Sequence, residues 1–296
     1  MRPFVLLGLL ALGSCAAAEP TPIHRQGLEN AHWLTDKVLS GAQPEGDAAF
    51  GELAALGVKT VISVDGAKPD VDGARKHGLR YVHLPIGYDG VPQGRALELA
   101  KAIEELDGPI YVHCHHGQHR GPAAAVVACV VAGRMDNARA LRTMTTLGTG
   151  PQYAGLWASA REARKADAED LRRLPVEFRE TSPIPPLAEA MVGLDGVLER
   201  MELSAKAGWK TPPGHPDVDP PHEALRIREI LAELLRTEEI RSRPAEFREL
   251  LERSRASAER LEAALRGPEP ADPVFAALKK SCADCHRPYR NTPPGK

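Results

Sequence analysis

The chain has 296 residues, a formal net charge of −2 and 4% aromatic residues. That length accommodates two domains with separate cores, and the near-neutral charge excludes a partner held mainly by bulk electrostatics, nucleic acid above all. With so few aromatics the cores have to be built from Leu, Val, Ile and Ala.

Residues 1–18 read as a secretory leader. Arg2 is a short positive segment, Phe4 to Leu12 is apolar but too short to span a bilayer, and small residues follow. Leu12-Gly13-Ser14-Cys15 is similar to a bacterial lipobox, in which Cys15 takes a lipid anchor, whereas Ala16-Ala17-Ala18 offers an ordinary cleavage site. Either route predicts a periplasmic chain, free or tethered as a lipoprotein.

From residue 19 to 172, short β-branched runs alternate with helical stretches. Val58 to Val64, Arg80 to Leu84 and Pro109 to His113 read as strands, with helices near Asp47 to Leu56, Arg95 to Leu106, Pro122 to Ala132 and Asn137 to Thr145. The alternation predicts an α/β domain with a central, mostly parallel sheet flanked by helices.

The third strand runs into Cys114-His115-His116-Gly117-Gln118-His119-Arg120-Gly121-Pro122, and an apolar helix follows. Strand, tight loop and helix N-terminus together aim backbone N–H groups and the helix dipole at a tetrahedral anion. Arg120 adds a bidentate clamp, and Cys114 at the base of the loop becomes a thiolate nucleophile. This HCxxGxxR run resembles the signature of the cysteine-dependent protein tyrosine and dual-specificity phosphatases. The resemblance extends from about Trp33 to Ala163 and includes Leu39-Ser40-Gly41-Ala42-Gln43-Pro44. It implies a hydrolase in which Cys114 attacks phosphorus, Arg120 holds the equatorial oxygens and His113 braces the loop and tunes the thiol. The phosphate-binding loop is then His115, His116, Gly117, Gln118 and His119.

Such chemistry needs an acid for the leaving oxygen. Asp89, in Pro85-Ile86-Gly87-Tyr88-Asp89-Gly90-Val91-Pro92, is the candidate, because the segment resembles a movable acid loop; Asp65, at the end of its strand, is the other contender. One position departs from the family: Gly121 stands where a Ser or Thr hydroxyl usually helps the thiolate leave. His113, His115, His116 and His119 also invite a metal reading, against which stands a rim of histidines that face substrate or solvent. Cys129 reads as a small core residue.

Residues 173–186 contain Leu174-Pro175 and Pro183-Ile184-Pro185-Pro186, which break any continuous helix and mark a linker. From 187 to 296 the periodicity is helical throughout. Leu187, Met191, Leu194, Leu198 and Met201 form one stripe, Phe247, Leu250, Leu251, Ser254, Ala258, Leu261 and Leu265 another, with further helices over Leu225 to Ile240 and Pro273 to Arg290. These predict an all-α four-helix bundle.

The last of these helices carries Cys282-Ala283-Asp284-Cys285-His286, the spacing of a c-type haem attachment site. The two thiols bond to the porphyrin and the histidine ligates iron. With Tyr289-Arg290 following, the segment from Leu187 to Arg290 resembles the cytochrome c-prime and cytochrome c556 family. The resemblance implies covalent haem c on Cys282 and Cys285, His286 as proximal iron ligand, and Arg290 pairing with a haem propionate. Met191 lies where a distal iron ligand would be, and it also occupies a core position where Met is an ordinary filler. Filled, that position implies electron transfer with a redox partner; empty, it implies binding of a diatomic gas. Bundles of this family often pair as homodimers.

The combined expectation is a periplasmic hydrolase of a phosphate ester, fused to a haem module that senses redox state or gas or carries electrons. Two rivals remain open: a cytochrome whose first domain only binds an oxyanion, and a sulfurtransferase of the rhodanese type.

Overall fold

The computed structural model describes residues 19–292. The leader and the lipobox cysteine read at 1–18 lie outside them. No helix among the described residues is long and apolar enough to cross a membrane.

Six strands form one sheet: β1 (Thr21–Pro22), β2 (His32–Trp33), β3 (Val38–Gly41), β4 (Thr60–Ser63), β5 (Arg80–His83) and β6 (Ile110–His113), in the order β1-β2-β3-β6-β4-β5. The four strands β3 to β6 are parallel to one another, whereas β1 and β2 pair antiparallel at one edge. The sheet is therefore mixed: mostly parallel, with an antiparallel edge. The two extra strands are two residues long each, too short to carry a period-2 signal.

Seven helices belong to this part: α1 (Gly46–Ala55), α2 (Val71–Lys76), α3 (Gln93–Glu105), α4 (Arg120–Val131), α5 (Asn137–Thr146), α6 (Ala154–Glu162) and α7 (Ala168–Arg173). Alternate strand residues face opposite layers. Val38, Ile62, Val82, Ile110 and Val112 join the core under α3 to α6, while Leu39, Val61, Tyr81 and Tyr111 join the core under α1 and α2. Every residue of α4 is buried. Its Ala and Val side chains are apolar all round, as a helix enclosed on all sides requires.

Residues 174–185 contain no helix or strand, yet they are tied down. The His83 N–H donates to the Arg179 carbonyl at 2.8 Å, and Ser182 bonds to His83 twice, through its N–H to Nδ1 at 3.1 Å and its hydroxyl to the carbonyl at 2.6 Å. This stretch thus covers the exposed edge of β5, an edge that would otherwise present unpaired backbone groups.

The remainder is helical: α8 (Pro186–Lys206), α9 (Pro220–Arg236), α10 (Glu238–Arg241), α11 (Ala245–Arg266) and α12 (Ala271–Tyr289). Helix α9 packs on both α8 and α11, and α11 packs on α12. Thr237 ends α9 and caps α10, so the single helix expected over Leu225 to Ile240 is two. Leu194, Val197, Met201, Ile227, Leu231, Phe247, Leu261, Phe275 and Leu278 fill a core separate from those of the sheet.

Candidate active site

Gly41 of β3 and Ser63 of β4 both lie opposite His113 of β6, so three parallel strands end at one level. The loops leaving them converge at the carboxyl edge of the sheet, where open α/β folds gather their ligand sites. From β6 the chain runs through Cys114 to His119 and enters α4 at Arg120. Gly117 makes that path possible. Its φ is +67°, and a Cβ there would collide with the backbone of Gly41 and Ala42.

The loop's carbonyls are spent on the scaffold. Gln43 N–H donates to the His115 carbonyl at 3.0 Å, Asn30 Nδ2 to that of Gly117 at 2.9 Å, and Thr149 Oγ1 to that of Gln118 at 2.7 Å. Its amides are not: among the described residues, the N–H groups of His116, Gly117, Gln118 and His119 donate to no protein acceptor. Four free amides at the N-terminus of a buried helix form a nest for an oxyanion.

Cys114 sits at the base of this nest, 3% exposed. The first turn of α4 passes directly behind it. A Cβ built on Gly121 would lie 3.4 Å from the Cys114 sulfur and 3.0 Å from its nitrogen. Arg120 is buried and forks onto Asp65, with Nη2 to Oδ2 at 2.7 Å and Nη1 to Oδ1 at 3.4 Å. Its Nε is buried without a partner. An orphaned donor of this kind carries a desolvation penalty that a bound anion would relieve.

Asp65 also accepts the N–H of His115 at 2.8 Å and of Ala67 at 3.0 Å. Burial of Asp65 favours its protonated form, but the Arg120 guanidinium and the two N–H donors outweigh it and hold the carboxyl below the usual range. Asp65 is therefore ionised at neutral pH and has no proton to give to a leaving group. It braces the clamp. The end-of-strand position brought it to the site in sequence, but its partner lies 55 residues away and no local signal reveals it.

His113 is fully buried, which pushes its imidazole down to about 4. The Tyr81 hydroxyl, 2.6 Å from Nε2, keeps its proton because burial raises it, so Nε2 accepts and Nδ1–H is left to face the Cys114 carbonyl at 3.4 Å. A neutral His113 braces the loop through that geometry and places no charge beside the thiol.

Asp89 is half-buried, in a loop held onto α6. Val91 N–H donates to Ser159 Oγ at 2.9 Å, and a Cβ on Gly155 would collide with the Asp89 carbonyl. Its neighbour Tyr88 lies against the Arg120 guanidinium, 4.4 Å from ring centre to carbon, which puts the loop at the mouth of the nest. The other histidines do not form a common rim. His119 turns to Tyr153, with 4.5 Å between ring centres, and its Nδ1 accepts the Gly150 N–H at 3.2 Å. His115 and His116 turn the opposite way, onto Glu199 of α8. Cys129 lies in the core, as its spacing suggested, where burial raises its thiol to about 12.

On α12, Cys282 and Cys285 stand three residues apart on one helical face, half-buried and buried respectively, within the apolar core of the helical part. Both thiols are unbonded, and burial raises them, Cys285 to about 11. Met191 packs against the same core. Arg290 turns away from it: the guanidinium lies over the rings of Tyr88, at 4.7 Å, and Tyr153, at 5.6 Å, and its Nε donates to Asn291.

No family model matches the chain. Among curated proteins, the dual specificity protein phosphatase TpbA of Pseudomonas aeruginosa strain UCBPP-PA14 is 32% identical over 177 residues, covering 57% of this chain and 78% of the relative. The chain belongs to the dual specificity protein phosphatase family. TpbA of a second P. aeruginosa strain, PAO1, matches this family member over the same extent at 31% identity. The crystal structure of P. aeruginosa TpbA is 24% identical with a TM-score of 0.44, covering 53% of this chain and 96% of the other. A TpbA structure in complex with pTyr gives 25% and 0.42.

Proposed function

We propose that the α/β part is a phosphoric monoester hydrolase that works through a phosphocysteine intermediate. The observation that carries this reading is the conjunction of the Cys114 sulfur, four unspent amides and the orphaned Arg120 Nε–H around one small space. In the first step the Cys114 thiolate forms a bond to phosphorus as the ester oxygen departs with a proton from Asp89. The amides and Arg120 hold the three non-bridging oxygens. In the second step water attacks phosphorus, Asp89 takes its proton, and the thiolate leaves as inorganic phosphate is released. Comparison of phosphate release from para-nitrophenyl phosphate by wild type and Cys114→Ser tests the reading, with complete loss expected in the variant.

Gly121 favours a second reading of the same site. Without a hydroxyl behind the sulfur, the second step slows and the nest holds oxyanions longer than it turns them over. A stoichiometric burst without steady turnover would identify that behaviour.

The helical part is proposed as a four-helix haem bundle on the periplasmic side. The residues fit: two neutral, unbonded thiols at i and i+3 in an apolar core, followed at once by His286. Haem c on Cys282 and Cys285, with His286 on iron, would supply electron-transfer chemistry were Met191 to fill the remaining iron position and gas-binding chemistry were it left open. An absorption spectrum of the purified protein with and without carbon monoxide tests attachment and the distal position together. The haem bands should survive denaturation because the thioether bonds are covalent.

A further inference from the structure

Helix α8 touches the phosphate loop and the chain after β4 through one stripe of its surface. Ala188 and Val192 come within 3.6 and 3.8 Å of a Cβ built on Gly66, and Asp195 and Glu199 reach His115 and His116. The spacing 188, 192, 195, 199 is one stripe of a helix. Met191, Leu194 and Leu198, on the neighbouring stripe, pack into the helical core instead.

Where the acidic end of that stripe meets the loop, four donor groups gather. His115 Nε2 is 3.3 Å from Glu199 Oε1, His116 Nε2 is 3.9 Å from the same oxygen, and Asp195 Oδ2 is 4.0 Å from His116 Nε2. One donor atom from each of His115, His116 and Glu199 lies within 4.8 Å of the others. Donors about 2.0–2.1 Å from a tetrahedral zinc ion stand about 3.3 Å apart, so this set needs only a small contraction. The backbone beneath is firm, since the His115 N–H is held by Asp65 and its carbonyl by Gln43.

Two neighbouring imidazoles, with ring centres 4.3 Å apart, are both aimed at one carboxylate, an arrangement in which a single cation can engage all three side chains at once. We infer that His115, His116 and Glu199, with Asp195 close by, bind a borderline divalent ion such as zinc, which clamps α8 to the phosphate loop. Two imidazoles and a carboxylate leave a fourth position for water or for Asp195. The ion ties the helical part to the α/β part through ligands from each.

Isothermal titration calorimetry with zinc, a readout that haem absorption does not obscure, tests this in the full chain carrying Cys114→Ser, which removes the thiol of the loop while leaving the proposed ligands intact. About one equivalent of zinc should bind at the loop. Glu199→Gln and, separately, His116→Asn should weaken binding by at least about tenfold, the loss that even an outer-shell change brings. Absence of zinc binding, or undiminished affinity in both variants, would overturn the site. Because Cys114→Ser has no turnover, failure here leaves the phosphatase reading standing, and failure of phosphate release leaves this one.

Discussion

At the scale of single residues, the Asp65–Arg120 pair sets the character of the site. Asp65 is 2% exposed and its carboxylate neutralises the clamp while leaving the Arg120 Nε–H free. Asp65→Asn should lower stability by about 3–5 kcal/mol, because it strands a buried guanidinium without its counter-ion. A fall in the urea midpoint, with phosphatase activity reduced in protein that remains folded, is the expected outcome; an unchanged midpoint would show that the pair contributes nothing. Gly121 poses the opposite case. Its φ lies outside the left-handed region, and an added Cβ would stand 3.4 Å from the sulfur. Gly121→Ser should therefore raise steady-state turnover of para-nitrophenyl phosphate and shrink the burst. Stopped-flow measurement distinguishes this from a change in substrate binding.

Among the elements, β6 and α4 were the most legible in sequence, and for a physical reason. A β-branched run, a Gly-containing loop and a continuous Ala/Val stretch each announce a different backbone, and here they are adjacent. The parts that escaped reading depend on distant partners. Strands β1 and β2 exist only because β3 offers them an edge, and the orientation of His115 and His116 depends on a helix some eighty residues further along. The proline-rich stretch after Leu174 was legible as non-helical, but its bonds to His83 were not, since they join main chain to a residue far upstream. Helix α4 also fixes a tolerance. With Ala123, Ala124, Ala125 and Ala128 all at 0% exposure, the sheet and α3 approach it closely. Ala124→Leu should cost about 1–3 kcal/mol by overpacking, seen as a lowered melting temperature, while the same change at the exposed Ala256 of α11 should be near neutral.

For the molecule as a whole, the buried imidazoles predict an acid limit. Burial lowers both His113 and His119 to about 4, against an ordinary 6.5. Between about pH 6.5 and 4 the unfolded chain therefore binds more protons than the folded one. Stability is fully present above that window and falls as the pH drops through it, by at most about 1.4 kcal/mol per pH unit for the fully buried His113 and by less for the half-buried His119. Melting temperatures measured from pH 7.5 down to 4.5 should show this slope, and His119→Gln should make it shallower; a flat profile would mean that the imidazoles titrate alike in both states.

The stacking of Arg290 on Tyr88, and of Tyr88 on Arg120, has a consequence for the carboxyl end of α12. One aromatic ring separates the last helical turn from the guanidinium of the phosphate nest. Displacing that last helical turn should therefore perturb the phosphate nest at a loop far away in sequence.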